Sequence, residues 1–427
     1  MFDLDFSAAH PLTAYGWDDG FAQSFTPFAG QGLVPGRIVR VDRGRVDAVV
    51  AAGDGIRTVL ADTALVATRD PMRVPCTGDW AVLDLENGRS GDHVDGVVRA
   101  LLPRRTAFVR SASSKRSEGQ VLATNIDHIV ICVSLADQLD LGRIERFLAL
   151  AMSGAGDAGP LHDSALATEG GAQPVVVLTK ADLAGDPAGL AHLIEDAEAA
   201  APGVQVLAVS SETGDGTDVL AAVLAGGTSV LLGQSGAGKS TLANVLLGER
   251  LQRVQAIRDR DGKGRHTTTT RDLRALPGGG VLIDTPGLRG VGMWDAESGL
   301  ARTFSDVEAL AEECRFHDCA HRSEPGCAVQ EAVECGELPA RRLDSYRKLQ
   351  RENQRIVAKT DARLRAEIRR DWKQKQALGR HLMERKRGPQ SGEMRGGEGR
   401  PGPPSPPRTP CPISASPACR ARRTLGA

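Results

Sequence analysis

The stretch TSVLLGQSGAGKSTLANVLLG, from Thr228 to Gly248, reads as an apolar strand, a glycine-rich turn and a helix. Its centre matches the phosphate-loop pattern G-x-x-x-x-G-K-[S/T] in full. Glycines let successive backbone N–H groups converge on phosphate oxygens, and the helix that follows contributes its positive N-terminus. The stretch therefore predicts a nucleotide-binding α/β domain. The residues expected to hold the phosphates are Gly233, Gln234, Ser235, Gly236, Ala237, Gly238, Lys239, Ser240 and Thr241.

Several positions are expected to act on the γ-phosphate and its metal ion. Lys239 should reach the β- and γ-phosphates, and the hydroxyl of Ser240 should ligate Mg²⁺. The motif DTPG follows the apolar strand GVLI, so Asp284 is expected to hold Mg²⁺ through water and the Gly287 N–H to contact the γ-phosphate. In the intervening run GRHTTTT, Thr268 is expected to complete the metal shell and to order a switch when the nucleotide is bound.

A second pair of motifs predicts which base is read. The run TKAD ends an apolar strand and resembles the guanine-reading motif Asn-Lys-x-Asp. One carboxylate, that of Asp182, can accept both parallel N–H donors of guanine, and the stem of Lys180 is expected over the base plane. Thr179 replaces the usual Asn, so one side-chain amide contact is either missing or rebuilt through a hydroxyl. The run SSET ends the next strand, and its first residues, Ser210 and Ser211, are expected to meet guanine O6 through backbone N–H.

These motifs stand in an unusual order. In most GTPases the phosphate loop, switch threonine and DxxG motif precede the base reader and its supporting loop, whereas here the last two come first. This order predicts a circular permutation, in which the sheet is unchanged but the chain is cut at a different connection. Such a cut is tolerable because domain termini commonly lie close together at the surface. As a consequence, the second switch leads directly into the C-terminal region.

The chain upstream and downstream predicts further domains. Five short β-type runs between about residues 35 and 105 indicate a small barrel such as an OB-fold, although SH3-like barrels give a similar pattern. Continuous Val/Ile runs that alternate with helical segments then predict a parallel sheet with helices on both faces. The expected parts are a flexible leader (1–30), an OB-like RNA-binding barrel (31–108), a circularly permuted GTPase domain (120–298) interrupted by an insertion (152–172), an α-helical zinc-binding domain with a basic extension (299–387) and a disordered tail (388–427).

Composition narrows the class of protein. The chain has 427 residues, of which 41% are hydrophobic and 25% charged, as is usual for soluble proteins. It has no uninterrupted apolar run long enough for a transmembrane helix, and its N-terminus lacks a signal pattern, so we expect a monomeric cytoplasmic protein without a membrane partner. Basic residues predominate between about 340 and 387, which favours an anionic partner, although an ordinary solvated helix gives the same pattern.

Four of the eight cysteines crowd one short region: Cys314, Cys319, Cys327 and Cys335. Without an export signal, such clustering favours a metal site over disulfides. Three thiolates and one imidazole form a closed tetrahedral set suited to structural Zn²⁺, with no position left for catalytic water. His317, His321 and Cys335 compete for the ligand positions, and a reduced cysteine-rich hairpin without metal is the alternative.

The barrel, the permuted order, the run GRHTTT and the cysteine cluster together resemble the ribosome small-subunit-dependent GTPase A family of bacterial ribosome-assembly GTPases. LLPRRTAFVR and ATNIDHIVICVS also resemble its barrel-to-GTPase junction. The resemblance, over about residues 30–350, implies a GTP hydrolase stimulated by the small ribosomal subunit. It further implies a late assembly checkpoint that binds rRNA and promotes release of other assembly factors. The family pattern selects Cys314, Cys319, His321 and Cys327 as ligands of one Zn²⁺.

The expected chemistry is slow without a partner. Leu288 follows Gly287, where many GTPases carry a glutamine that orients the attacking water, and leucine makes no hydrogen bond. His266 is the nearest candidate by sequence, and the resemblance implies that it positions water; alternatively it packs or contacts RNA. Lys239 and Thr268 complete the expected catalytic set. Two other functions fit the motifs less well, namely a P-loop ATPase or kinase and an RNA-binding module that uses GTP only as a structural ligand.

Overall fold

The computed structural model describes residues 10–86, 94–111, 119–154, 171–248, 271–284 and 297–360. They form two compact units: the larger extends to Ser305 and includes Asp344–Thr360, and the smaller extends from Asp306 to Leu343. The predicted tail, the basic extension beyond residue 360 and most of the predicted insertion lie outside these ranges. Within them, no helix is both long and apolar enough to cross a membrane.

The N-terminal part of the larger unit is a closed five-stranded barrel. Its strands are β1 (Val34–Asp42), β2 (Arg45–Ala52), β3 (Gly55–Asp62), β4 (Trp80–Asp84) and β5 (Gly96–Leu101). The strand order is β1-β2-β3-β5-β4, with β1 also paired to β4 and with β3 and β5 parallel. This is the Greek-key arrangement of an OB-fold, so the OB-like prediction is confirmed over the SH3-like alternative.

The predicted flexible leader is wrong from residue 10 onward. Helix α1 (Asp19–Phe25) begins at Asp18, whose carboxylate accepts a hydrogen bond from the Phe21 N–H. Trp17 and Phe21 are buried against Trp80 of β4, with ring centroids 4.8 Å and 5.5 Å away. The segment is fixed by a few large aromatic side chains rather than by a periodic aliphatic pattern, which is why its sequence shows little periodicity.

A hairpin of β6 (Ala107–Ser111) and β7 (Gly119–Thr124) follows the barrel, and the sequence did not predict it. After it comes a six-stranded sheet. Its strands are β8 (His128–Ser134), β9 (Gln173–Thr179), β10 (Gln205–Val209), β11 (Thr228–Gly233), β12 (Asp272–Ala275) and β13 (Val281–Asp284). The order is β10-β9-β8-β11-β13-β12, and β12 alone among these described strands runs antiparallel to its neighbour.

Helices cover both faces of this sheet, as predicted. Their bounds are α2 (Leu141–Gly154), α3 (Pro187–Ala200), α4 (Thr217–Leu224), α5 (Lys239–Leu246) and α6 (Glu297–Thr303). Helices α2 and α3 share one buried cluster with the sheet, and α4 and α5 share the other. Helix α6 packs closely on α2, since a Cβ added at Gly299 would lie 2.1 Å from the carbonyl oxygen of Ala149.

The smaller unit is helical. It contains nearly all of α7 (Ser305–Glu312), then α8 (Ala328–Glu334) and the start of α9 (Ala340–Thr360), with the cysteine-rich loop between α7 and α8. The guanidinium of Arg342 is buried and donates to both carboxylate oxygens of Asp306, at 2.5 and 2.9 Å. In the larger unit, Glu352 of α9 accepts two hydrogen bonds from Arg146 of α2, at 2.7 and 2.6 Å.

Candidate nucleotide and metal sites

The predicted nucleotide motifs meet at one edge of the sheet. Strands β8, β9, β10, β11 and β13 run parallel, so their carboxyl ends share an edge. The run TKAD leaves β9 there, SSET leaves β10, the phosphate loop leaves β11 and Asp284 ends β13. Ligands of open α/β sheets bind at the carboxyl ends of the strands. Motifs distant in sequence therefore face one place.

The phosphate loop has a backbone that only glycine adopts readily. Gly233, Gly236 and Gly238 have φ angles of 155°, 87° and 75°. A Cβ at Gly233 would also lie 2.5 Å from the carbonyl oxygen of Cys132, so the loop closes tightly over β8. The ammonium group of Lys239 donates to the carbonyl oxygens of Gly233 and Gln234, both at 2.7 Å. These features suit a cradle whose N–H groups point at an anion.

Charged and polar groups flank this lysine. Desolvation lowers the pKa of Lys239, while Cys132 and Asp284 oppose that shift, which places the Asp284 carboxylate in the electrostatic neighbourhood of the ammonium. Ser240 is exposed at the start of α5. A hydroxyl and a carboxylate are the oxygen ligands that Mg²⁺ prefers, so the donor types fit the predicted metal.

Thr179 is buried and links the predicted base-reading loop to the phosphate loop. Its hydroxyl lies 2.9 Å from the carbonyl oxygen of Ala237 and 3.3 Å from that of Val133. The sequence left open whether the contact of the usual Asn is missing or rebuilt. In the structure the threonine hydroxyl makes the connection to the phosphate-loop backbone.

The carboxylate of Asp182 has a partner that the sequence did not indicate. It accepts a hydrogen bond of 2.6 Å from the hydroxyl of Ser210, and that hydroxyl is also 3.3 and 3.2 Å from the N–H groups of Glu212 and Thr213. Lys180, beside it, has a left-handed backbone with φ 59°. Ser210 therefore orients the predicted guanine-reading carboxylate, in addition to the backbone contact predicted for the SSET run. The sequence could have predicted this contact, because Ser210 directly follows the strand that lies next to the strand preceding Asp182.

Three predicted site residues lie outside the described ranges: His266, Thr268 and Gly287, together with Leu288. Their roles stay predictions. The structure places one further acidic residue beside the predicted metal site. Asp272 of β12 lies directly opposite Asp284 in the antiparallel β12–β13 register. The five-residue connection between these strands contains the run PGGG, from which this pairing could have been counted.

The cysteine-rich loop of the smaller unit brings together the predicted zinc ligands. Cys314, Cys319, His321 and Cys327 place one ligand atom each within 4.8 Å of one another. The sulfur of Cys314 is 3.8 Å from that of Cys327, and the two sulfurs lie 3.6 and 3.5 Å from Nδ1 of His321. A tetrahedral Zn²⁺ with bonds of about 2.3 Å to sulfur and about 2.0 Å to nitrogen requires separations of about 3.8 and about 3.5 Å. This group could hold a metal ion, and it does not include His317 or Cys335.

Neighbouring groups hold this loop in place. Gln330 donates from its side chain to the carbonyl oxygen of His321, and its backbone N–H donates to the sulfur of Cys327 at 3.4 Å. Backbone N–H groups, that of Arg322 first, lower the pKa of Glu324 to about 2. Burial raises the pKa of the Cys327 thiol to about 12, and its hydrogen bonds with Cys319 and Cys314 add to this shift. A bound cation favours the thiolate and so opposes that shift.

Comparisons with known proteins agree with this geometry. Residues 164–294 match the family model described as RsgA GTPase. The Small ribosomal subunit biogenesis GTPase RsgA of Streptomyces avermitilis is 64% identical over 382 residues, which are 90% of this chain and 96% of that one. The chain is similar to the solved structure of YloQ, described as a circularly permuted GTPase, with a TM-score of 0.53. The two share 25% identity over 75% of this chain and 95% of that one. YjeQ from Thermotoga maritima shares the fold, with a TM-score of 0.51 and 23% identity over 75% of this chain and 98% of its own.

Proposed function

Because this chain belongs to the RsgA GTPase family and is a GTPase, we propose that it acts in the biogenesis of the small ribosomal subunit. Its relative in Streptomyces avermitilis is named for that process. In this proposal the chain binds the small subunit late in its maturation and serves there as an assembly checkpoint. It hydrolyses GTP to promote release of other assembly factors. The small subunit, its rRNA and those factors are the proposed partners.

The observation that carries the nucleotide part is the connection between two motifs that are far apart in sequence. Thr179 contacts Ala237 of the phosphate loop, and three residues later Asp182 is held by Ser210. The predicted guanine reader and the predicted phosphate cradle thus lie at one edge of one sheet. A single nucleotide can span them, with its base at Asp182 and its phosphates at Lys239 and Ser240.

The proposed catalytic step uses positioning and charge. The phosphate-loop N–H groups and Lys239 stabilise charge on the β- and γ-phosphates. Ser240, Thr268 and, through water, Asp284 would hold Mg²⁺, which would supply further neutralisation. His266 is proposed to orient the attacking water. Because Leu288 makes no hydrogen bond to water, we expect slow hydrolysis until the small subunit orders the switch residues.

The barrel offers a surface for the proposed rRNA contact. Arg40, Arg43 and Arg45 line a cavity of about 370 Å³ on the outside of the barrel, together with Asp42 and Asp47. Guanidinium groups bind phosphate oxygens with bidentate geometry. Since Trp80 of β4 is fully buried against Trp17 and Phe21, it is not available for stacking on a base. Backbone and shape contacts are therefore proposed to dominate.

The decisive experiment measures GTP hydrolysis with and without purified small ribosomal subunits. Wild type, Lys239→Ala and His266→Ala are compared. We expect stimulation of the wild type, loss of hydrolysis in Lys239→Ala, and retained nucleotide binding without stimulation in His266→Ala. Absence of stimulation in the wild type would favour an RNA-binding module that uses GTP as a structural ligand. Displacement of GTP by ATP at comparable concentration would instead favour an ATPase or kinase.

A further inference from the structure

The barrel contacts the sheet at the two residues that immediately follow the predicted switch run. The hydroxyl of Thr77 donates to the carbonyl oxygen of Arg271 at 3.1 Å. The next residue, Asp272, opens β12, and its carboxylate lies 3.9 Å from the guanidinium Nε of Arg40 on β1. We name Arg40, Thr77, Arg271 and Asp272 the barrel–strand junction. Through it, the barrel holds the point at which the chain re-enters the sheet.

Buried hydrogen bonds hold the barrel side of this junction. Arg104 and Asp79 are buried and joined by two hydrogen bonds of 2.7 Å. Arg104 also donates to the carbonyl oxygens of Met72 and Val74, at 2.5 and 2.6 Å. The loop that carries Thr77 is therefore tied down on both sides of that residue, so its hydroxyl is presented at a fixed place.

On the sheet side, Asp272 faces the carboxylate proposed to hold Mg²⁺. Asp272 and Asp284 are directly opposite in the antiparallel β12–β13 register. Opposite residues of such a pair project to the same face with Cβ atoms about 4.5–5.5 Å apart, where like charges repel. One oxygen of Asp272 is buried and, among the described residues, has no hydrogen-bond partner. Among the described residues, Arg40 is a cation that pairs with Asp272 and partly compensates its charge.

We infer that Asp272 is a positioning residue for Asp284, the carboxylate proposed to hold Mg²⁺. We infer further that Arg40 of the barrel determines how strongly the negative charge of Asp272 acts on the metal site. With Arg40 in place, the charge of Asp272 is partly compensated and Asp284 remains the dominant carboxylate for the cation. If Arg40 is removed, a second negative charge acts on the same site. This inference rests on the proposed nucleotide site, and it gives the barrel a role in the GTPase centre in addition to RNA contact.

The test measures affinity for a fluorescent GDP analogue across a series of Mg²⁺ concentrations, using the full chain without ribosomal subunits. Arg40→Ala is expected to lower the half-saturating Mg²⁺ concentration about two- to fivefold, the size typical of a half-exposed ion pair. Asp272→Asn is expected to raise it, because a negative charge near the cation is lost. The double variant should behave as Asp272→Asn alone, since Arg40 acts through Asp272.

Arg43→Ala is the matched control, because Arg43 lines the same cavity as Arg40 and its substitution removes the same charge. It should leave the Mg²⁺ dependence unchanged, and Arg40→Lys, which keeps the charge, should stay close to wild type even if Arg40→Ala folds poorly. Equal shifts in Arg40→Ala and Arg43→Ala, or shifts of the same sign in Arg40→Ala and Asp272→Asn, would overturn the inference. Failure of the wild type to bind the guanine nucleotide would instead contradict the proposed function.

Discussion

The hydroxyl of Thr179 donates to the carbonyl oxygen of Ala237, 2.9 Å away, and so joins the end of β9 to the phosphate loop. Both residues are buried, at 2% and 4% exposure. A buried carbonyl that loses its donor costs about 1–3 kcal/mol. The hydroxyl of Thr179 therefore joins the predicted base-reading loop to the phosphate loop, at a position where the guanine-reading motif usually has asparagine.

Thr179→Val keeps the shape of the side chain but removes this donor. We expect guanine-nucleotide affinity to fall about five- to tenfold, because the phosphate loop loses its register against β9. Equilibrium binding of a fluorescent GDP analogue measures the change. Thr179→Ser, which retains a hydroxyl, should bind within about twofold of wild type. Equal weakening in the valine and serine variants would mean that the methyl group, and not the hydrogen bond, matters.

Asp182→Asn tests the base that is read. The amide can accept from N1–H of the base but repels the exocyclic amino group of guanine, whereas xanthine presents a carbonyl there. We expect GTP affinity to fall about tenfold to a hundredfold, since hydrogen bonds to charged groups contribute about 1.5–3 kcal/mol, and xanthosine triphosphate to bind better than GTP. Competition binding with both nucleotides measures this. Preference for ATP in either protein would contradict a guanine site.

Ser210→Ala tests whether the Asp182 carboxylate must be held in place, and it leaves the carboxylate itself unchanged. The hydroxyl contacts Asp182 at 2.6 Å but is not expected to contact the base. Its loss should weaken GTP binding about threefold to tenfold without a shift towards xanthine, because the Asp182 carboxylate remains and only part of the about 1.5–3 kcal/mol of a hydrogen bond to a charged group is lost from binding. The same competition assay reads both quantities. A switch in base preference would show that Ser210 reads the base itself.

The nucleotide edge was largely predictable from the sequence because its geometry is topological. Once Gly233 and Thr179 are recognised as ends of parallel strands, they must share an edge whatever the loops do. Short β-type runs separated by turn signals likewise predicted the barrel strands. Residue type and spacing also predicted a metal site in the cysteine-rich stretch, but the choice of His321 over His317 and Cys335 came from the family resemblance.

Other features depend on contacts that have no local signal. The segment around Trp17 is ordered by aromatic packing on Trp80, a residue more than sixty positions away. The barrel–strand junction joins Thr77 to Arg271 across 194 positions, and neither residue belongs to a motif. Such contacts form only when distant parts of the chain fold together, so local propensity and periodicity do not predict them.

Arg104→Ala is expected to destabilise the barrel. It removes one partner of the buried pair with Asp79 and leaves the carboxylate uncompensated in a dry environment. Breaking such a pair costs about 3–5 kcal/mol. Urea unfolding followed by tryptophan fluorescence measures the loss. Arg73→Ala is the comparison, because Arg73 and Asp70 are paired while 64% and 46% exposed, and it should cost about 1 kcal/mol or less. Equal losses in both variants would show that burial of the Arg104 pair is not what matters.

Removal of the metal should unfold the cysteine-rich part of the smaller unit. Its described core is small, and Cys314, Cys319, His321 and Cys327 lie at the separations that a tetrahedral ion requires. In a domain of this size the free energy of metal binding is also folding free energy. We expect one zinc per chain by elemental analysis, and a zinc chelator should lower the helix content reported by circular dichroism while leaving guanine-nucleotide binding within about twofold, since the nucleotide edge belongs to the other unit.

Cys319→Ser and His321→Ala should each lose the zinc, because a closed site with three remaining ligands binds far more weakly. His317→Ala and Cys335→Ser are the matched controls, since both residues lie in the same stretch of sequence but outside the group. They should retain one zinc per chain. Full zinc content in His321→Ala together with its loss in His317→Ala would assign the imidazole ligand to the other histidine, and zinc-free wild-type protein with unchanged helix content would show that the thiols pack without a metal.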